Sequence, residues 1–385
     1  MSTRRKRLAR VERRVNRAIK HKSLLIGPPD GVLILIICAL VFFGIIAVLS
    51  AGAPEGADVY KNPFYFLIKH LIALTMGIVA FIAAYKIDYK TWRRIAEPVA
   101  YVVIVLIAAT LVPGLGRTEY GSSRWLVGLP IQPSELCKFA AIILLSSALV
   151  DAKTVFDAKM LRHLGFILVM VVILLLQPNL SIAAILFFVT VIMLLSGGVS
   201  FRLLGLISLP GVAVALWKFM QPYQMTRIKS WLDPWADPQN AGYNLIQSYY
   251  AIGSGGVFGV GYGNSHQKLF WLPFSQTDFI FSVIAEELGF IGCLVLIGLF
   301  MMLFVRGLHI SRNAPDYFGS LLALGITITI VMQALINIGV TTGVLPVTGV
   351  TLPLISHGGT SVVVSLFMLG VLLNISRKRI RSLCP

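Results

Sequence analysis

The sequence predicts an all-α polytopic membrane protein. Of its 385 residues, 57% are hydrophobic and only 13% are charged, and the mean hydropathy is +0.84. Soluble domains carry about 25% charged residues. Apolar runs of about 20 residues, the length that crosses a bilayer as a helix, recur along the whole chain. Together these observations exclude a soluble domain and predict about ten transmembrane helices.

The ten predicted spans share an apolar composition and are separated by short polar or glycine-rich loops. They cover residues 31–50, 64–86, 96–112, 134–150, 163–177, 180–197, 202–219, 278–305, 316–343 and 357–376. Residues 31–376 therefore form one membrane domain, between basic tails at 1–30 and 377–385.

Lysine and arginine predict the orientation of the spans. Basic residues cluster in the N-terminal tail, in loops 87–95 and 305–315 and in the C-terminal tail, which all fall on one predicted side. Cytoplasmic flanks carry such an excess, so both termini are predicted to be cytoplasmic. The net charge of +17 then reflects membrane flanks and not nucleic-acid binding. The N-terminal tail is expected to touch anionic lipid, with a cytoplasmic partner as the alternative.

Two outer loops are long, at residues 113–133 and 220–277. Long loops in compact domains are usually functional or disordered, and the second loop is too apolar and aromatic for disorder. We expect short interfacial helices in it that cover the outer mouth of the bundle.

Three of the chain's 16 acids lie within ten positions at the start of the eighth span. Carboxylates at membrane depth are costly and tend to face a cavity, a cation or a substrate. Asp278, at the mouth of this span, has two interpretations, a helix N-cap or a general base at the outer surface. Glu286 and Glu287 lie deeper and are predicted to brace the helix.

The fourth span begins with residues 132–138 (QPSELCK). Glu135 and Lys138 are three residues apart, so they share a helix face and can form an ion pair. The alternative is that Lys138 serves a substrate or an acid on another span. In the preceding outer loop, Arg124 stands beside Trp125, either as a headgroup anchor or as a ligand for phosphate.

Residues 345–361 (LPVTGVTLPLISHGGTS) contain two prolines and three glycines, which no regular helix accommodates. Non-helical backbone at membrane depth is tolerated where it is buried in protein or lines a cavity. Ser356 and the backbone of Gly358 and Gly359, at the start of the tenth span, are candidate groups for holding an anion. A purely structural re-entrant turn is the alternative.

Four motifs together resemble the SEDS family, the FtsW/RodA/SpoVE proteins. They occupy residues 132–138, 263–268, 277–289 and 352–359, and the resemblance extends from about residue 31 to 376. It implies ten spans and a peptidoglycan glycosyltransferase that polymerises lipid II at the outer face of the bacterial cytoplasmic membrane. It also implies a class B penicillin-binding protein as the partner that supplies transpeptidation, and other membrane proteins of the division complex.

By position, the resemblance makes Asp278 the essential acid and general base of an inverting transfer. It makes Glu135, Lys138 and Arg124 substrate-binding residues, together with Ser356, Gly358 and Gly359. The acceptor is lipid II and the donor is undecaprenyl-pyrophosphate-linked glycan. A divalent cation, Mg²⁺ or Mn²⁺, is compatible with the pyrophosphate leaving group, and no organic cofactor is expected.

Two positions depart from the family pattern, since Asn179 stands where an acid is common and His357 where tyrosine is usual. The motifs favour the FtsW-like, septal branch over the RodA-like, elongation branch. Two rival functions stay open at this point, a lipid II flippase and a non-enzymatic scaffold of the division complex.

Overall fold

Long apolar helices make up most of the molecule, in a computed structural model that describes residues 25–119, 122–127, 131–151, 157–201, 203–205, 209, 211 and 220–379. The described helices are α1 Gly31–Tyr60, α2 Tyr65–Lys86, α3 Tyr89–Arg94, α4 Ala96–Ala109, α5 Pro133–Asp151, α6 Ala158–Leu176, α7 Leu180–Ser196, α8 Pro222–Leu232, α9 Tyr243–Gly255, α10 Ile280–Arg312, α11 Tyr317–Thr341 and α12 Gly359–Ser376. The predicted N-terminal tail up to residue 24 and most of the seventh span lie outside the described residues.

Nine of the ten predicted spans correspond to helices in the described part of the chain. Seven helices there are long and apolar enough to cross a membrane, and α4 and α7 are shorter apolar helices. The all-α class is confirmed. Several helices extend past the predicted spans, because hydropathy marks only the lipid-immersed part of a helix. Thus α1 continues from the predicted end at residue 50 to Tyr60, and α10 continues from 305 to Arg312.

Helices α5, α11 and α12 form the interior of the bundle. Their spanning windows are 83%, 72% and 83% buried within the protein, whereas those of α1, α2 and α10 are 39%, 28% and 28% buried. Close packing of α12 on α2 requires a glycine, because a Cβ on Gly370 would lie 2.4 Å from the carbonyl oxygen of Phe81. Polar side chains on α5, α11 and α12 therefore face protein and not lipid.

The outer layer contains the short helices that the sequence predicts. Helices α8 and α9 flank a 3-10 turn at Pro234–Ala236, and all three lie within the predicted loop 220–277. The other outer loop, 113–133, forms a hairpin of strands β2 Gly116–Glu119 and β3 Ser122–Leu126, in which Arg117 pairs with Trp125. These elements lie over the ends of the helices that carry the candidate site.

At the opposite end, the two described chain ends pair with each other. Strand β1, Leu25–Ile26, runs antiparallel to β4, Lys378–Arg379. Asp30 caps α1 and forms an ion pair with Arg306 at 2.7 Å. These contacts place both ends of the described chain beside the last turns of α10, on one side of the bundle, as the charge pattern predicts.

A second ion pair ties β4 to the loop between α2 and α3. Lys378 contacts Asp88 at 2.6 Å. Partial burial opposes ionisation of Asp88, but hydrogen bonds from the Lys378 ammonium and the Lys90 amide outweigh it and lower the pKa of the carboxyl. The basic loop 87–95 therefore lies on the same side as both chain ends.

Candidate active site

Asp278 lies in the turn that leads into α10. The helix begins at Ile280, and its N-cap residue is Phe279, whose side chain makes no capping hydrogen bond. Asp278 is therefore not the N-cap residue, which was one of its two interpretations. Its side chain is half-buried at the end of the bundle that the outer loops cover. A half-buried carboxylate outside the N-cap position fits the remaining interpretation, a group that meets a substrate.

The loop before Asp278 rests on the unexpected extension of α1. The Gln276 amide donates to the Glu55 carboxylate at 2.9 Å, and the Ser275 hydroxyl donates to the Ala51 carbonyl at 3.4 Å. Both acceptors lie beyond residue 50, in the part of α1 that hydropathy missed. The extension thus forms one wall beneath the candidate acid.

Glu135 and Lys138 form the ion pair that their spacing predicts. The Lys138 ammonium lies 2.6 Å from the Glu135 carboxylate, and the side chain of Lys138 is fully buried. Lys138 also donates to Oε1 of Gln333 on α11 at 2.5 Å. The Gln333 amide nitrogen donates to the Thr351 carbonyl at 3.0 Å and to the Ser361 hydroxyl at 3.1 Å. One buried network therefore links α5, α11, the 345–358 loop and α12.

Helix α11 connects this network to Asp278. Gln333 contacts Lys138, and Asn337, one turn further along, donates to the backbone carbonyl of Asp278 at 2.8 Å. Residues four apart on a helix lie on one face, with Cβ atoms about 6 Å apart. Sequence reasoning singled out neither amide. Two amides at this spacing inside an apolar span were the available signal.

The 345–358 loop is joined to the segment that carries Asp278. The Ser356 hydroxyl donates to the Thr277 carbonyl at 2.6 Å and accepts from the Leu352 amide at 2.8 Å. Ser356 is fully buried, so its hydroxyl serves the protein in this conformation. Gly358 and Gly359 are half-buried at the start of α12. Their backbone is more accessible to an anion than the Ser356 side chain.

Two further candidates have different outcomes. Asn179 is buried, and its amide donates to the Ser134 hydroxyl at 3.1 Å, beside the Glu135–Lys138 pair. A neutral amide thus fills the position where the resembling family commonly has an acid. The backbone of Arg124 lies in β3, and its side chain is outside the described residues. Its contact with phosphate stays a prediction.

Glu286 and Glu287 have structural roles, as predicted, but they hold the outer loop to α10 and do not only brace the helix. Glu286 accepts from the Ser265 hydroxyl at 2.5 Å and the His266 amide at 2.9 Å. Glu287 accepts from the Lys268 ammonium at 2.6 Å and the Ser50 hydroxyl at 2.5 Å. Both carboxylates are buried and make structural contacts. Asp278 is therefore the most exposed of the three acids in the 272–289 segment.

Breaking the Lys268–Glu287 pair is expected to destabilise the fold. Both side chains are buried, and an unpaired buried charge costs about 3–5 kcal/mol. We expect Lys268→Met to lower the midpoint of thermal unfolding markedly. The double variant Lys268→Met, Glu287→Gln is expected to recover most of the loss, because it removes both charges. Equal melting of the single and double variants would contradict this role.

A divalent cation would have few protein ligands here. No group of three or more His, Cys, Asp or Glu side chains comes together in the described part of the chain. Mg²⁺ is often held by one or two carboxylates together with substrate phosphates. Asp278 and a pyrophosphate would be such a set, so a cation at this site remains a prediction that depends on bound substrate.

Comparison with known proteins identifies the family. A family model described as "Cell cycle protein", for FtsW, RodA and SpoVE, matches residues 31–381. The chain is 41% identical over 369 residues to the probable peptidoglycan glycosyltransferase FtsW of Trichlorobacter lovleyi, covering 93% of this chain and 96% of that protein. It is 40% identical over 358 residues to the stage V sporulation protein E of Bacillus subtilis, covering 91% and 97%.

Solved structures show the same fold. A chain from a peptidoglycan synthase complex superposes with a TM-score of 0.75 at 30% identity, covering 92% of this chain and 99% of that one. The rod shape determining protein RodA of Thermus thermophilus superposes with a TM-score of 0.67 at 28% identity, covering 92% and 98%. These matches confirm the resemblance carried by the four sequence motifs. The chain therefore belongs to the FtsW/RodA/SpoVE family.

Proposed function

We propose that this chain is a peptidoglycan glycosyltransferase that polymerises lipid II at the outer face of the cytoplasmic membrane. The observation that carries the proposal is Asp278, a half-buried acid under the outer loops whose backbone joins the buried Lys138 network through α11. The names of the relatives support the same activity. The many apolar helices make the chain a multi-pass membrane protein.

In the proposed reaction, Asp278 acts as general base. Its carboxylate accepts the proton of the 4-hydroxyl on the acceptor lipid II, within about 3 Å in the productive pose. The acceptor oxygen then bonds to the anomeric carbon of the donor strand. The bond from that carbon to the pyrophosphate oxygen breaks, and undecaprenyl pyrophosphate leaves with its electron pair. A single displacement inverts the configuration at the anomeric carbon.

Lys138 supports this chemistry from inside the protein. Its side chain is fully buried and donates to Glu135 and Gln333, so it does not contact a substrate in this conformation. In this proposal Lys138 holds α11 in place through Gln333, and α11 in turn holds the backbone of Asp278 through Asn337. Arg124, Gly358 and Gly359 remain the proposed contacts for the pyrophosphate, because guanidinium and backbone N–H groups both bind phosphate oxygens.

The proposed setting is the division septum, with a class B penicillin-binding protein as the partner. Relatives named FtsW support the septal assignment over the elongation branch. The solved peptidoglycan synthase complex, which coordinates polymerization and crosslinking, supports a transpeptidase partner. Depletion of the protein should therefore block septation and leave elongation intact. Loss of rod shape with normal septation would instead favour the elongation branch.

The test of the function is polymerisation by purified protein. The chain, alone and with its partner transpeptidase, is incubated with labelled lipid II and penicillin, which blocks cross-linking. A ladder of glycan strands on a gel is the expected result. Labelled lipid II that crosses liposomes without forming a polymer would favour a flippase. If neither polymer nor transport is found while the chain still supports division, a scaffold role replaces the proposal.

A further inference from the structure

Three successive backbone carbonyls, those of residues 276–278, are each held by a donor from another part of the fold. The His357 amide donates to the Gln276 carbonyl at 2.9 Å. The Ser356 hydroxyl donates to the Thr277 carbonyl at 2.6 Å. The Asn337 amide donates to the Asp278 carbonyl at 2.8 Å. We call these three donors the 276–278 clamp. A non-helical segment held at every carbonyl has little freedom to rotate.

Asn337 is the most specific member of the clamp. Its amide nitrogen donates to the Asp278 carbonyl and to the Val350 carbonyl at 2.6 Å, so one side chain joins two non-helical loops to α11. The residue is 1% exposed on an interior helix. Asparagine is a poor helix former, and a buried polar group is costly without partners. Helix formation alone therefore does not explain an asparagine at this position.

Both loops joined by Asn337 contain strained backbone. Phe274 has a φ of 58° and Leu354 a φ of 65°, in the left-handed region that non-glycine residues rarely adopt. Such strain persists only where the surroundings determine the conformation, and it is concentrated at functional sites. The 276–278 clamp supplies part of those surroundings. Its acceptor carbonyls closely follow Phe274 in the chain, and its donors Ser356 and His357 closely follow Leu354.

We propose that Asn337, assisted by Ser356, is a positioning residue that fixes the direction of the Asp278 carboxylate. The inference rests on the proposed function, in which Asp278 is the base, and adds how the base is aimed. Asn337 donates its hydrogen bond to the backbone carbonyl of Asp278. Its loss should therefore reduce the rate of the chemical step and leave the binding of lipid II unchanged. A misplacement of about 1 Å can cost roughly 100-fold in rate.

The experiment compares two buried asparagines. Asn337→Leu keeps the branched shape and removes both donated hydrogen bonds. The matched control is Asn374→Leu, which removes a buried amide that donates to the Tyr85 carbonyl at 2.6 Å, beside the paired chain ends. Polymerisation is measured against lipid II concentration and normalised to the lipid II-binding sites of each preparation. We expect Asn337→Leu to lower kcat about 10- to 100-fold with KM within twofold, and Asn374→Leu to keep both within twofold.

Several outcomes would overturn the inference. One is a kcat for Asn337→Leu within threefold of wild type. The others are an effect of Asn337→Leu on KM alone, and a fall in kcat for Asn374→Leu as large as that for Asn337→Leu. If Asn337→Leu does not fold, the test uses Ser356→Ala. This variant loses only the hydroxyl oxygen, which is one of the three clamp donors. Then a kcat several-fold lower at unchanged KM supports the clamp, and an unchanged kcat rejects it. Asp278→Asn is run in parallel, because an active Asp278→Asn variant would reject the proposed base itself and not the clamp.

Discussion

Asp278→Asn is expected to lower the rate of glycan polymerisation about 10²- to 10⁴-fold, the usual contribution of a general base. Asparagine has the size of aspartate but cannot accept the proton of the acceptor hydroxyl. The Asp278 backbone carbonyl would still accept from Asn337, so the fold should persist. Initial rates with labelled lipid II and the thermal unfolding midpoint are the two measurements.

Asp237→Asn is the matched control for this change. Asp237 is an exposed acid in the same outer layer, and its carboxylate accepts from Asn240 at 3.0 Å. The same chemical change at that position should leave the polymerisation rate unaltered. An Asp278→Asn variant that polymerises lipid II within tenfold of wild type would rule out Asp278 as the base.

Lys138→Met is expected to lower both the stability and the activity of the protein. Methionine fills a similar volume but leaves the Glu135 carboxylate buried without its cation, which costs about 3–5 kcal/mol. Gln333 also loses a donor to its Oε1 atom, so α11 is held less firmly beneath Asp278. We expect a clear fall in the thermal unfolding midpoint and a polymerisation rate at least tenfold lower per folded molecule.

A double variant separates these two effects. Adding Glu135→Gln to Lys138→Met removes the orphaned charge, so most of the stability should return. The rate should stay low, because the contact with Gln333 is still missing. If the double variant regains the full rate, Lys138 matters only for stability, and its assigned support of the site is wrong.

The sequence was sufficient to predict the bundle because membrane helices obey local rules. Apolar length located nine described helices, and basic loops predicted the side of the chain ends. The i,i+3 spacing predicted the Glu135–Lys138 pair, which the structure contains at 2.6 Å. Each of these rules depends on residues that are near one another in the chain, so a single sequence contains the information.

The parts that could not be predicted depend on distant residues. The bond between Ser356 and the Thr277 carbonyl joins positions 79 residues apart, and that from Asn337 to the Asp278 carbonyl joins positions 59 apart. No local pattern encodes such pairs. The extension of α1 to Tyr60 was missed for a different reason, since its last residues leave the apolar run while Glu55 still contacts Gln276.

The pairing of β1 with β4 has a consequence for how this chain can be engineered. Leu25 lies opposite Arg379, and paired strands are about 4.8 Å apart. A loop of about 4–6 residues, the usual length between neighbouring elements, would span that gap. New ends could then open in the exposed turn at Asn313, on the same side of the bundle. A circularly permuted variant without residues 1–24 and 380–385 would then test whether the order in which the helices are encoded matters for their arrangement.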